Sequence, residues 1–124
     1  MSQSLTIMPV IGIGEIRPGD DLAAVISEAA ELLDGDVLVV TQKVVSKAEG
    51  RLVQVDPKIG HKPLVIKESA RVLRRRGDLI ISETKHGFVC ANAGIDLSNV
   101  EAGKAALLPL DSDRSARGIR DALT

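Results

Sequence analysis

The sequence predicts a fold of the α+β class, a mixed sheet packed with helices. Short β-branched runs such as residues 36–41 are bounded by glycine or charged residues, which is typical of strands. Segments with apolar residues at helical spacing alternate with these runs. The chain has 124 residues, of which 44% are hydrophobic and 27% charged. That size and composition fit a single domain with one core.

The first half of the chain is predicted to alternate strands with one helix. The helix begins after a capping Asp20 or Asp21, spans about three turns and ends at Gly35. The other elements are a short strand at residues 5–10, a glycine-containing loop, a strand buried on both faces at residues 36–41, a polar segment at residues 42–50 and a half-buried strand at residues 51–55.

The second half is predicted to contain two helices and three strands. The apolar positions between Leu64 and Leu73 fit a helix that is closed by the basic residues 74–76 and Gly77. Residues 78–82 and 86–90 fit two strands that could pair as a hairpin. A loop of small and polar residues at 91–99 is a candidate site. A last strand at residues 105–110 precedes a helix that is capped by residues 111–113 and continues to Thr124.

Composition disfavours several classes of function. The formal net charge is −1, so no whole-chain field favours nucleic acid or an anionic membrane. Phe88 is the single aromatic residue, whereas modules that bind single-stranded nucleic acid rely on several stacking rings. Cys90 cannot form an intramolecular disulfide, and with only two histidines it cannot complete a structural zinc site. We expect a reducing, cytoplasmic location, because there is neither a signal-peptide pattern nor a bilayer-length apolar stretch.

Two groups of residues could contact a phosphate-bearing ligand. The Gly12-Ile13-Gly14 loop could bring backbone N–H groups close to a ligand, but the same pattern also fits a simple turn. Lys43 and Lys47 follow the predicted buried strand, where α/β proteins often bind phosphate. Two solvated lysines on a surface turn would explain that spacing equally well.

A third group, Asp96 and Asn99, could hold Mg²⁺ or Mn²⁺, since a carboxylate with neighbouring neutral oxygens is a common donor set for these ions. An Asx-turn or a helix cap is the alternative interpretation. His86 is interpreted as a strand-edge or packed residue, Cys90 as a small core residue and residues 71–76 as a solvated helix end. RNA binding by this basic run is a remote third hypothesis.

Four long motifs resemble the coenzyme F420-0:L-glutamate ligase family. They are GEIRPGDDL from Gly14, DGDVLVVTQKVVSKAEGRLV from Asp34, HGFVCANAGIDLSNV from His86 and LLPLDSDRSARGIR from Leu107. Their order and spacing agree with the family over nearly the whole chain. The resemblance implies the N-terminal portion of that ligase fold. It also implies a GTP-dependent reaction that joins L-glutamate to F420-0 through an acyl phosphate, and then adds further glutamate in γ-linkage.

The resemblance also implies roles for individual residues, while the catalytic residues remain unassigned. Asp96 would ligate a divalent metal, Mg²⁺ or Mn²⁺, with K⁺ as an accessory ion, and the protein would form an interwoven homodimer. Lys43 matches the motif without an assigned contact. The residues expected to contact the nucleotide are Ile13, Gly14, Glu15, Ile16, Gln42, Lys47 and Asn99.

The chain departs from the family pattern in two places. Family members continue beyond the last helix to an Asp-Thr pair that completes the metal site, and their connection corresponding to residues 56–63 is longer. We therefore expect the N-terminal portion of a longer ligase. A non-catalytic nucleotide-binding or dimerisation module derived from that family is the alternative.

Overall fold

A computed structural model of the protein describes residues 2–98 and 103–124. It contains four α-helices, one short 3₁₀ turn and five strands within these residues. No helix in this part of the chain is long and apolar enough to cross a membrane. In chain order the elements are α1 (Leu22–Ala29), α2 (Gln42–Ala48), β1 (Leu52–Gln54), α3 (Lys62–Glu68), β2 (Ser69–Arg76), β3 (Leu79–Thr84), β4 (Val89–Ala91), the 3₁₀ turn (Asn92–Gly94), β5 (Lys104–Ala106) and α4 (Ser112–Leu123).

The strands form two antiparallel sheets. Strands β1 and β5 pair with Val53 opposite Ala105, although they lie far apart in the sequence. Strands β2, β3 and β4 form a second sheet in that order, with Ser82 opposite both Val72 and Cys90. The helices do not alternate with parallel strands, which confirms the predicted α+β class, but the expected mixed sheet is instead two antiparallel sheets among the described residues.

Two apolar clusters form the interior. The first joins the loop before α1 to helices α1 and α2, through the buried residues Ile16, Leu22, Ile26 and Val45. Ile119 of α4 packs against the same cluster. The second cluster lies between α3, β3 and the 3₁₀ turn and contains Val65, Ile80 and Ala93. Helix α2 therefore belongs to the first cluster, and the 3₁₀ turn belongs to the second.

Both predicted aspartate caps are confirmed. The side chain of Asp21 accepts a hydrogen bond from the N–H of Ala24 at 3.1 Å, and Asp111 accepts one from Arg114 at 2.9 Å. These bonds satisfy backbone donors that the first turn of a helix leaves unpaired. The final helix begins at the predicted place, whereas α1 ends at Ala29, before the predicted Gly35.

Two predicted strands, residues 5–10 and 36–41, are not strands in this structure. Both segments have irregular backbone, and neither pairs with a strand in the part of the chain that the structure describes. Residues 36–41 were expected to be buried on both faces, yet Val37 and Val39 are 88% and 85% exposed. Leu5 and Ile7 are exposed to a similar degree. The β-branched residues favour extended backbone in this segment, but a strand also requires a neighbouring strand to pair with.

The predicted helix between Leu64 and Gly77 is wrong in its second half. Helix α3 ends at Glu68, and the basic run continues as the edge strand β2. Arg76 lies opposite Leu79, so Gly77 and Asp78 form a two-residue turn, and Gly77 has a φ of 60°. Pairing with the apolar strand β3 therefore takes precedence over helical spacing, and the arginines project from a sheet edge.

The polar segment at residues 42–50 is mostly helix α2, which the sequence analysis did not predict. The hairpin between β3 and β4 is confirmed, with Glu83 opposite Val89. The predicted last strand is shorter than expected, because β5 covers Lys104–Ala106 and residues 107–110 lead into α4 without strand pairing.

Candidate functional site

Helix α2 is the element that positions most of the predicted site residues. Its C-terminus is closed by Gly50, whose φ is +72°, with N–H bonds from Gly50 to Lys47 and from Arg51 to Ser46. This pattern of two backbone bonds is that of a Schellman motif. Side chains four residues apart project from the same side of a helix, so Gln42 lies beside Ser46 and Lys43 lies beside Lys47.

Gln42 and Ser46 attach α2 to the chain just beyond β5. The Ser46 hydroxyl is fully buried and donates to the carbonyl of Leu107 at 2.6 Å. The Gln42 amide donates to the same carbonyl at 3.2 Å and to the Ser46 oxygen at 2.6 Å. Gln42, predicted to contact a nucleotide, thus has internal partners in this structure. The sequence does not indicate the role of Ser46, because helix α2 was not predicted and the partner of Ser46 lies 61 residues away.

Lys47 connects α2 to the glycine-containing loop. Its side chain is only 10% exposed, and its ammonium lies 2.6 Å from the Glu15 carboxylate. Ile16, next along the loop, is buried against Val45 in the first cluster. The structure therefore brings together Lys47 with Glu15 and Ile16, all predicted to contact the nucleotide. A mostly buried ammonium needs such a partner, because burial without one is costly.

The predicted ligand loop at Gly12 and Gly14 is open. Gly12 has a φ of +84°, which favours glycine, and a Cβ atom at either glycine would meet nothing within 4 Å. Ile13 is partly buried against the first cluster, whereas Gly14 is exposed. The backbone of this loop is consequently accessible beside α2.

Lys43, one turn before Lys47 on α2, forms an ion pair with Asp96. The ammonium lies 3.0 Å from Oδ2 of Asp96 and 3.3 Å from the Ser98 hydroxyl. The other carboxylate oxygen, Oδ1, accepts the Ser98 N–H at 2.7 Å and the Ser98 hydroxyl at 2.6 Å. The Ser98 hydroxyl lowers the pKa of Asp96, partial burial opposes that effect, and Lys43 lowers the pKa further. Asp96 is therefore held as a carboxylate.

The N–H bond from Ser98 is the Asx-turn bond that the sequence analysis offered as an alternative to a metal site. It involves only Oδ1. The second oxygen, Oδ2, contacts a cation, so the two interpretations of Asp96 do not exclude each other. Asn99 lies outside the described residues. Within the described part of the chain, no group of three or more His, Cys, Asp or Glu side chains could hold a metal.

A left-handed turn positions the backbone before Asp96. Asn92, Ala93 and Gly94 have φ values of 51°, 52° and 72°. Positive φ is unfavourable for residues with a Cβ atom, so the surroundings must hold this turn in place. The Asn92 side chain accepts the N–H of Ile80, and Ala93 is buried. The sequence pattern predicts a loop of small and polar residues here, but it does not indicate that Asn92 accepts the N–H of Ile80.

Backbone pairing to β5 then fixes Asp96 itself. Its N–H donates to the carbonyl of Ala106 at 3.0 Å, and Ala106 donates back at 2.8 Å. Since Leu107 follows Ala106 and accepts the bonds from Gln42 and Ser46, one short segment carries both α2 and the Asp96 loop. The arrangement places two ammonium groups, one carboxylate loop and an accessible glycine loop around a single helix.

His86 and Cys90 lie apart from this cluster of contacts. The His86 ring contacts the carbonyl of Leu110 at 3.0 Å and stacks on Phe88, with the ring centroids 6.1 Å apart. His86 is exposed in the turn between β3 and β4, so its interpretation as a strand-edge or packed residue is wrong. Cys90, interpreted as a core residue, is only partly buried in β4.

The family profile and the curated relatives that match this chain agree with one another. The profile of the family described as F420-0:Gamma-glutamyl ligase matches residues 10–124. A protein of Methanopyrus kandleri named coenzyme F420:L-glutamate ligase is 43% identical over 94% of this chain and 53% of its own length. Proteins with the same name from Methanothermobacter thermautotrophicus and Archaeoglobus fulgidus are 39% and 44% identical over 93% and 92% of this chain. The chain spans about half the length of these relatives.

Proposed function

The chain belongs to the F420-0:gamma-glutamyl ligase family, and on that premise we propose that it serves GTP-dependent ligation of L-glutamate to coenzyme F420-0. The first glutamate would be joined through an amide bond, and further glutamate through γ-glutamyl linkage. The names of the curated relatives support the ligase reaction. Because the chain spans about half of their length, we propose that it is the N-terminal portion of such a ligase.

The observation that carries this proposal is the arrangement around helix α2. Two lysines one turn apart each form an ion pair with an acid from a different loop, Lys43 with Asp96 and Lys47 with Glu15. Phosphoryl transfer requires several positive charges held in fixed positions around the transferring group, because the protein contributes mainly positioning and charge stabilisation. A helix that carries two restrained ammonium groups beside an accessible glycine loop supports that role.

The proposed reaction proceeds in two steps. An oxygen of the acceptor carboxylate attacks the γ-phosphorus of GTP, which forms an acyl phosphate and releases GDP. The glutamate amine then attacks the acyl carbon, loses a proton and expels inorganic phosphate. The nucleotide would contact the loop at Ile13, Gly14, Glu15 and Ile16, together with Gln42, Lys47 and Asn99. In both steps Lys47 would act as a fixed point charge.

Asp96 fits a role as a ligand to Mg²⁺ or Mn²⁺. Its carboxylate is ionised, and its Oδ2 already faces a cation, the Lys43 ammonium. Such ions are commonly held by one or two carboxylates, with water and substrate phosphates as the remaining ligands. A bound divalent ion would neutralise phosphate charge during transfer. We include K⁺ in the proposal as an accessory ion.

The proposal also includes a homodimer. Residues 5–11 and 36–41 are irregular segments that expose Leu5, Ile7, Ile11, Val37 and Val39. Apolar residues at alternate positions are typical of strands that pack one face on another layer. A second copy of the protein would supply such a layer.

Mass spectrometry of a reaction of the full-length ligase that contains this chain, with F420-0, GTP, Mn²⁺ and L-glutamate, tests the proposed activity directly. We expect products heavier by one or more glutamate residues. Replacing Lys47→Gln should raise the KM for GTP by about 10-fold or more, the factor expected for losing a charge-assisted bond. Lys58→Gln removes the same charge from an exposed position and should leave the KM unchanged. Intact F420-0 under all of these conditions would refute the proposed reaction.

A non-catalytic nucleotide-binding or dimerisation module is the second candidate. The coverage supports it, since the chain spans about half the length of the curated relatives. Calorimetry distinguishes the two functions. A protein that binds GDP and Mn²⁺ but produces no glutamylated F420 would be such a module.

A further inference from the structure

Both oxygens of the Asp96 carboxylate already have partners. Oδ1 accepts two bonds from Ser98, one from the N–H and one from the hydroxyl. Oδ2 contacts the Lys43 ammonium at 3.0 Å. A metal ion ligated by Oδ2 would therefore have to bind where an ammonium group now lies.

The ammonium occupies a defined cation position. It lies between Oδ2 of Asp96 and Oγ of Ser98, at 3.0 Å and 3.3 Å, and the side chains of Lys43 and Asp96 are 22% and 27% exposed. Mg²⁺ binds oxygen at about 2.0–2.1 Å and keeps several waters. A hydrated divalent ion on Oδ2 would compete for this space and repel the ammonium charge.

We propose that Lys43 is an internal substitute for the divalent ion, holding Asp96 and Ser98 in place until a metal ion displaces its ammonium from Oδ2. This inference rests on the proposed function, in which Asp96 ligates a metal. Displacement frees a positive charge on α2, one turn from Lys47. Metal and nucleoside triphosphate then bind with positive coupling, because each favours the state in which Lys43 has left Asp96.

Titration of the protein with Mn²⁺, followed by the electron paramagnetic resonance of the free ion, tests the competition without measuring activity. Lys43→Gln removes the competing cation, so we expect Mn²⁺ to bind about 1.5-fold to 5-fold more tightly, the range that corresponds to losing a partly exposed ion pair. Lys58→Gln is the matched control, because it removes one positive charge from an exposed position. Its affinity should equal that of the unmodified protein. Equal or weaker Mn²⁺ binding by Lys43→Gln would overturn the inference.

Chemical labelling of amines gives a second readout that a purely structural ion pair would not move. Mn²⁺ should increase the acetylation of Lys43 by acetic anhydride, measured by mass spectrometry, relative to the acetylation of Lys58. The unmodified protein serves here, so this measurement does not depend on the folding of a variant. Labelling of Lys43 that stays constant while Mn²⁺ saturates the protein would show that the ammonium does not leave Asp96.

Asp96→Asn separates failure of this inference from failure of the metal role. If Asp96→Asn abolishes Mn²⁺ binding and Lys43→Gln leaves it unchanged, the metal role of Asp96 stands and the displacement model is wrong. If Asp96→Asn binds Mn²⁺ as well as the unmodified protein, or if neither binds it, both the metal role and the displacement are refuted. Thermal unfolding curves of each variant confirm that the compared proteins are folded.

Discussion

The ionised Asp96 carboxylate makes a pH-dependent contribution to stability. Its folded-state pKa is lowered, first by the Ser98 hydroxyl, so it lies below the unfolded value of about 3.9. Such a group stabilises the folded protein above the unfolded pKa, and the contribution is lost as the pH falls through the folded pKa. We expect Asp96→Asn to lower the free energy of unfolding by about 1 kcal/mol at pH 7, and by less near pH 3.

Urea unfolding of both proteins at pH 7 and pH 3 measures this difference. Asp34→Asn, at an exposed position, is the control and should cost little at either pH. A cost of Asp96→Asn that is the same at both pH values would contradict the assignment of a lowered pKa.

Gly50 and Gly94 have the same φ of +72°, so comparing their alanine variants distinguishes backbone strain from steric overlap. A Cβ atom on Gly50 would meet nothing within 4 Å, whereas one on Gly94 would lie 2.8 Å from the Leu108 side chain. Gly50→Ala should cost about 1–2 kcal/mol from strain alone. Gly94→Ala should cost about 1–3 kcal/mol more because of overpacking. Chemical denaturation measures both, and equal costs would show that Leu108 moves aside freely.

At the residue scale, the sequence predicted the charged members of the site better than its polar supports. Lys47, Glu15 and Asp96 lie in long motifs, and the structure joins each of them to a charged partner. Ser46 and Asn92 bond to backbone atoms distant in sequence, and no local pattern specifies such partners. The metal role of Asp96, the role of Asn99 and the nucleotide contacts stay predictions.

At the scale of elements, the attachment of α2 depends on a buried hydroxyl. Ser46→Ala removes the donor of the 2.6 Å bond to Leu107 and one partner of Gln42. Losing these two hydrogen bonds should lower the free energy of unfolding by about 1–3 kcal/mol, although the Gln42 amide still donates to the Leu107 carbonyl. Ser27→Ala, which removes an exposed bond to Ala24, is the matched control and should have a much smaller effect. Thermal or urea unfolding tests this, and similar costs for both variants would refute the anchoring role of Ser46.

Element boundaries were predicted least well where two periodicities overlap. Between Leu64 and Leu73 the apolar residues satisfy helical spacing, but those from Ser69 onward also fit a strand, and pairing with β3 decides between them. Gly77 was assigned to the end of a helix and Asp78 to the start of a strand, although a glycine between two short runs is equally a hairpin signal. Helix α2 was missed because Val44 and Val45 have low intrinsic helix propensity, which packing against α1 overrides.

At the scale of the whole molecule, helix α2 links regions that are distant in sequence. It packs against α1 in the first cluster, bonds to the segment after β5, and pairs with Glu15 and Asp96 on separate loops. The α+β class follows from local patterns. The links to Leu107 and Asp96 involve β5 and the residue after it, and β5 pairs with β1 in a way that local sequence does not determine.

The exposed apolar segments predict self-association. Val37 and Val39 are 88% and 85% exposed at alternate positions of a β-branched run. An apolar surface of the kind that usually packs against another layer is therefore exposed to water. In the proposed homodimer a second copy covers this surface.

Replacing both valines, Val37→Thr with Val39→Thr, keeps the β-branched shape but adds a hydroxyl at each position. We expect at least a tenfold weaker dimer, since burying two unpaired hydroxyls costs about 1 kcal/mol or more each. Sedimentation velocity over a range of protein concentrations measures the shift. Ile59→Thr, at an exposed position outside these segments, should leave the dimer intact. If the unmodified protein stays monomeric throughout, or if Ile59→Thr weakens the dimer as much as the double variant, this surface is not the dimer interface.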